Sequence, residues 1–181
     1  MHGHSRGSGS VQAKHNRTIL KTQTMKELDI RPAIYQCGMD ELKPEEQQLL
    51  QQAIEATSHS YAKYSHFHVG AALMLEDGTV LPGCNQENAA FPAGLCAERS
   101  AIFAAGAQHP SVAPVMLAIA ARDTTGELTE EPVSPCGTCR QVMIETETRY
   151  DRSLRILLYG RRHVFVMDGI RHLMPLSFTE F

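Results

Sequence analysis

Val115-Met116-Leu117-Ala118-Ile119-Ala120 is an uninterrupted apolar run of strand length. A strand with no polar face has to be covered on both sides, so this run specifies a central strand between two helical layers. The flanking sequence supplies those layers. Pro44-Glu45-Glu46 places proline at a first helical position and acids in the first turn, where they complement the helix dipole. Leu49, Leu50, Ala53, Ile54 and Thr57 follow at helical spacing, predicting a helix over residues 44–60. Residues 69–75 read as a strand, Asp77-Gly78 as a turn, and Thr79-Val80-Leu81 as the start of a second strand, together a hairpin. Helices over residues 96–107 and 136–148, strands over 154–159 and 164–167, and a short helix over 169–173 complete the order α-β-β-α-β-α-β-β-α. That order predicts a three-layer α/β/α sandwich around a mixed five-stranded sheet.

At 181 residues, one domain is the natural reading. The Gly/Ser/His-rich opening sets residues 1–24 apart as a flexible leader and leaves 25–181 as the domain, with Met25 as a natural start. A net charge of −3 argues against a nucleic-acid groove, which needs clustered basic residues. Residues 100–121 hold no Asp, Glu, Lys or Arg, long enough to suggest a membrane span, but Pro110 and Pro114 interrupt them. A helix followed by a buried strand fits better. Five cysteines, an odd number, without an apolar stretch of signal-peptide type, point to a reducing compartment and a cytoplasmic protein. In that setting cysteines serve more often as metal ligands, catalytic groups or buried small side chains than as disulfides.

Two short motifs carry the chemistry: Cys96-Ala97-Glu98-Arg99 and Pro135-Cys136-Gly137-Thr138-Cys139. Cys136 and Cys139, three apart on a helix, share a face, and the first turn favours thiolates through its free N–H groups and dipole. With Cys96 from another helix start they offer zinc three protein ligands, leaving the fourth tetrahedral position for water as catalytic sites do. Glu98 is placed beside such a metal without ligating it, suited to accept and redeliver a proton. Three thiolates and Zn²⁺ carry one net negative charge, and a guanidinium from Arg99 on a ligand sulfur offsets it.

Cys-Ala-Glu followed by Pro-Cys-x-x-Cys is a zinc-deaminase signature in its three-cysteine form. The chain resembles the cytidine deaminase family, specifically its short homotetrameric class. The likeness extends to Tyr64-Ser65-His66-Phe67 with Val69-Gly70-Ala71-Ala72, to Gly83-Cys84-Asn85-Gln86-Glu87-Asn88-Ala89, and to Leu173-Met174-Pro175-Leu176-Ser177-Phe178, covering residues 45–178. His68 stands where the family commonly has proline, and Ala90 and Phe91 where Cys and Tyr are frequent. The resemblance implies that Cys96, Cys136 and Cys139 hold zinc and that Glu98 shuttles the proton. It further implies that Asn85 and Glu87 bind ribose hydroxyls, that Phe67 lies against the pyrimidine, and that the Ala97 N–H holds the base's 2-oxygen. Phe178 would reach the substrate of a neighbouring subunit, so the site would need the homotetramer. Asn85 and Glu87, two apart, project from one face of a strand, which agrees.

The implied activity is zinc-dependent hydrolytic deamination of cytidine and 2′-deoxycytidine in pyrimidine salvage. Free nucleosides are favoured over nucleotides, because no Lys/Arg cluster accompanies the motifs and Glu87 would repel a phosphate. The competing readings are deamination of a modified cytidine or aminonucleoside antibiotic, a non-catalytic zinc-stabilised interaction module with Cys84 as fourth ligand, and a Cys-x-x-Cys oxidoreductase.

Overall fold

The computed structural model describes residues 25–179; the leader proposed for residues 1–24 lies outside them. The strands are β1 (Tyr35–Cys37), β2 (His68–Leu75), β3 (Val80–Cys84), β4 (Pro114–Arg122), β5 (Arg155–Tyr159) and β6 (Val164–Asp168). The α-helices are α1 (Pro44–Ala56), α2 (Ala97–Gln108) and α3 (Gly137–Tyr150). One sheet contains all six strands in the order β1-β6-β5-β4-β2-β3. Only β4 and β5 pair in parallel.

The apolar run is β4, bonded to β2 on one side and β5 on the other. Alternate residues divide it between two cores. Leu117 and Ile119 face α2 and α3, with Ala97, Ala101, Cys139 and Met143. Met116, Ala118 and Ala120 face α1, with Leu49, Leu50 and Ala53. This is the expected three-layer sandwich. Pro44 opens α1, and the Glu46 carboxylate accepts the Lys43 N–H at 2.9 Å to complete its capping box.

The sheet has six strands where the sequence pattern predicts five. The extra strand, β1, pairs Tyr35 with Val166 and Cys37 with Val164 at the sheet edge. Tyr35 and Gln36 are exposed and Cys37 half-buried against the α1-side core, so β1 carries no apolar alternation and is held mainly by backbone bonds. The charge-free stretch divides as expected, with α2 ending at Gln108 and β4 starting at Pro114. Among the described residues no helix is long and apolar enough to cross a membrane.

Topology brings the two cysteine motifs together. β3 and β4 both run antiparallel to β2, so they point the same way and end at the same edge of the sheet. α2 follows β3, α3 follows β4, and both helices pack on the same face. Their N-termini therefore converge. Close packing fixes the height of α2 on the sheet: a Cβ on Gly83 would meet the Ala97 carbonyl oxygen at 2.3 Å and the Ala101 nitrogen at 2.7 Å. Only a residue without a side chain lets that helix start sit so near β3.

Candidate metal centre and active site

Cys96 and Cys136 are the N-cap residues of α2 and α3, and neither uses its side chain to cap its own helix. Cys139 lies one turn into α3 and is fully buried. The three Sγ atoms lie within 4.8 Å of one another, the one such group of three or more metal-ligating side chains among the described residues. Cys96 and Cys136 are 3.9 Å apart at sulfur, Cys136 and Cys139 3.5 Å. Zinc bound at ~2.3 Å to tetrahedral sulfur ligands keeps them about 3.8 Å apart. The residues fit the metal.

Cys84 is not a fourth ligand, since its thiol donates to the His59 carbonyl at 3.3 Å. That removes the closed four-cysteine reading. All five cysteines are free thiols.

The electrostatics are uneven across the sulfur cluster. Cys96 is held down to about 5 by a hydrogen bond from the Cys139 thiol, helped by Arg99 and Cys136. Cys139 is pushed up by the same contact and by burial. The proton of the pair therefore stays on Cys139 and Cys96 ionises first. Arg99 donates to the Cys96 Sγ at 3.3 Å, the contact anticipated for charge compensation. The helix N-termini act in the same sense.

Glu98, in the first turn of α2, is 4% exposed. Burial raises its carboxyl above the usual range, and the Cys96 charge raises it further. A carboxyl whose proton affinity is raised in this way is suited to hold a proton and pass it on. Ala97, the first residue of α2, carries an N–H that the helix itself leaves without a partner.

A cavity of about 570 Å³ opens onto these groups. Asn85, Glu87, Cys96, Ala97, Glu98, Arg99 and Cys136 line it, so the structure unites most of the site read from the sequence. Cys139 lies behind the lining in the sulfur cluster, and two residues are elsewhere. Phe67 is half-buried beside the cavity but not in its lining, and Phe178 is an exposed residue whose carbonyl accepts the Gln141 side-chain N–H at 2.8 Å. Asn85 and Glu87 lie just beyond the end of β3, and both line the cavity along with Gln86 between them. The sequence reading missed Tyr64 and Phe91, whose rings meet edge to face at 6.0 Å on the rim, and Ile119 and Ser134 in the lining. Ile119 is marked by the apolar run and Ser134 by the Pro135 motif, but only the fold turns them toward the cavity.

Residues 43–150 match the family described as "Cytidine and deoxycytidylate deaminase zinc-binding region". The chain belongs to this family. It is 42% identical over 134 residues to a cytidine deaminase of Sporosarcina psychrophila, covering 74% of this chain and 91% of that one. It is 44% identical over 99 residues to a cytidine deaminase of Halalkalibacterium halodurans, covering 55% of this chain and 70% of the relative. Among solved structures, a cytidine deaminase from Burkholderia pseudomallei superposes with a TM-score of 0.62 at 37% identity, over 72% of this chain and 97% of that one. For a deaminase of this family the sulfur cluster is a zinc centre, and the three-ligand count leaves it open for chemistry.

Proposed function

We propose that this enzyme hydrolytically deaminates cytidine and 2′-deoxycytidine to the uridines with release of ammonia, in pyrimidine salvage. The observation that carries the reading is the buried Glu98 carboxyl beside three converging thiols at the floor of one cavity. Relatives named cytidine deaminase support the substrate.

Cys96, Cys136 and Cys139 hold zinc, and Arg99 withdraws charge from the Cys96 sulfur. When bound, zinc would act as a Lewis acid and lower the pKa of water towards ~7. Glu98 takes up the proton of the attacking water and delivers it to N3 as C4 becomes tetrahedral. It then carries the second proton to the departing amine. The Ala97 N–H holds the 2-oxygen, and Asn85 and Glu87 face the ribose hydroxyls.

Among the described residues Arg99 is the only cationic side chain in the lining, and its guanidinium is turned to the Cys96 sulfur. With Glu87 on the same wall, a free nucleoside fits better than a phosphorylated one. Phe67 lies against the pyrimidine from behind the rim, and Phe178 reaches the cavity of a neighbouring subunit in a homotetramer. Residues 25–181 act as one domain, in the cytoplasm, where free thiol ligands persist. Neither nucleic acid nor a membrane is a partner.

The test is loss of cytidine absorbance alongside zinc content. One zinc per chain with turnover supports the reading; one zinc per chain without turnover of cytidine or deoxycytidine overturns it.

A further inference from the structure

Residues 64–67 run beside the cavity without belonging to a strand, with Tyr64 and Ser65 in its lining. β2 begins only at His68, and His66 has a φ of 55°, in the left-handed region that side-chain-bearing residues seldom adopt. Backbone bonds fix the two ends of this segment: Tyr61 pairs with Asn85 and Glu87, and Asn85 donates to the Val69 carbonyl. Within the segment the Ala62 carbonyl accepts the His66 N–H at 2.9 Å and the Ser65 hydroxyl accepts the Phe67 N–H at 3.0 Å, and the cross-ties to the end of β3 come from two side chains. The Glu87 Oε2 accepts the N–H of Tyr64 at 2.7 Å and of Ser65 at 3.3 Å. Asn85 accepts the Val69 N–H at 2.8 Å and donates to the Phe67 carbonyl at 2.9 Å. Tyr64, so placed, sets its ring against Phe91 to form the rim.

We propose that Glu87 is a positioning residue that latches this segment, in addition to facing the sugar. A carboxylate offers about four acceptor sites; the Tyr64 and Ser65 N–H groups on Oε2, together with the Ser65 hydroxyl, take about three of them and leave one for a ribose hydroxyl. Ribose recognition and the shape of the segment that carries Tyr64 and Phe67 are thereby joined in one carboxylate. The latch rests on the deaminase reading for its activity readout and stands apart from it for its structural one.

Both readouts use the zinc-loaded protein. In peptide-resolved amide hydrogen exchange without substrate, Glu87→Ala speeds exchange at Tyr64 and Ser65 by about tenfold or more, while Glu87→Gln, which keeps an acceptor oxygen, stays within about threefold of the parent. Glu87→Asp keeps the charge but falls a methylene short, so it too speeds exchange there. If Glu87→Ala fails to fold, the aspartate variant decides. Unchanged exchange overturns the latch, whatever the activity.

The second readout is turnover of 2′,3′-dideoxycytidine, which lacks both hydroxyls that Glu87 could contact. A latch predicts that Glu87→Ala lowers kcat/KM for this substrate by about tenfold and that Glu87→Gln restores most of it. Faster exchange with unchanged dideoxycytidine turnover overturns the positioning role and leaves a pure sugar contact. A parent enzyme that deaminates neither nucleoside sinks the deaminase reading, and hydrogen exchange alone then decides whether the latch exists.

Discussion

Arg99 donates from Nη2 to the Cys96 Sγ across 3.3 Å. Its Nε is buried with no hydrogen-bond partner among the described residues, so the guanidinium is committed to the sulfur cluster. Removing its charge leaves a more electron-rich thiolate on the metal. Arg99→Gln should shift the acid limb of the kcat/KM profile to higher pH and cost about 10–100-fold in zinc affinity or activity. A pH–rate series with cytidine checks this, and an unmoved limb would count against charge compensation.

Glu98 is the buried carboxyl whose proton affinity is raised. Glu98→Gln preserves its size and removes its proton traffic. Turnover should fall by at least ~10²–10⁴-fold while zinc stays at the parental level. Metal analysis beside the activity assay separates this from a structural role, in which zinc and activity would be lost together.

The hydrogen bond from the Cys139 thiol, with Arg99 and Cys136 beside it, makes Cys96 the acidic thiol of the cluster. Its ionisation is depressed to about 5, so the thiolate persists at every pH above that and is lost only as pH falls through it. Cys139 is shifted the opposite way and stays protonated. In chelator-stripped protein, alkylation at Cys96 should therefore remain fast down to about pH 6, whereas Cys139 resists. Peptide mass spectrometry reads the two sites, and added zinc should protect Cys96.

Gly83 and Gly70 both lie under helices, but only one of those helices carries the site. A Cβ on Gly83 would run into the backbone of α2 at Ala97, and a Cβ on Gly70 into α1, at 2.1 Å from the Ala53 carbonyl oxygen. Each alanine substitution should destabilise by about 1–3 kcal/mol, with Tm falling ~2–4 °C per kcal/mol. Gly83→Ala should in addition lower kcat by roughly 10²-fold, because α2 carries Cys96 and Glu98 and a shift near 1 Å misplaces them. Gly70→Ala should keep kcat within about threefold. Equal rate losses in both would show that the close approach at Gly83 has no special bearing on the metal centre.

Hydrophobic patterning exposed α1, β2 and β4, because α1 buries one spaced face and the two strands are apolar runs, and proline, turn and helix-former signals supplied the remaining elements of the layers. It was silent on β1, whose three residues hold the sheet edge by backbone bonds and bring only Cys37 to the core. The left-handed turn at His66 was equally hidden: nothing in Tyr64-Ser65-His66-Phe67 distinguishes a strand from a loop tied down by a carboxylate that comes later in the chain. Phe67 and Phe178 show the same boundary from the other side. Their motifs resemble a family, but where an aromatic ring points depends on neighbours that sequence spacing does not name.

The chain by itself determined the ligand set, since three cysteines at two helix starts with an adjacent glutamate are a matter of residue type and local spacing. Tertiary structure decided which oxygen of Glu87 is occupied, how deeply Glu98 is buried and which thiol ionises first. Those depend on distances of a few ångströms between segments remote in sequence. Such distances exist only once β3 and β4 end at the same edge of the sheet and bring α2 and α3 tip to tip.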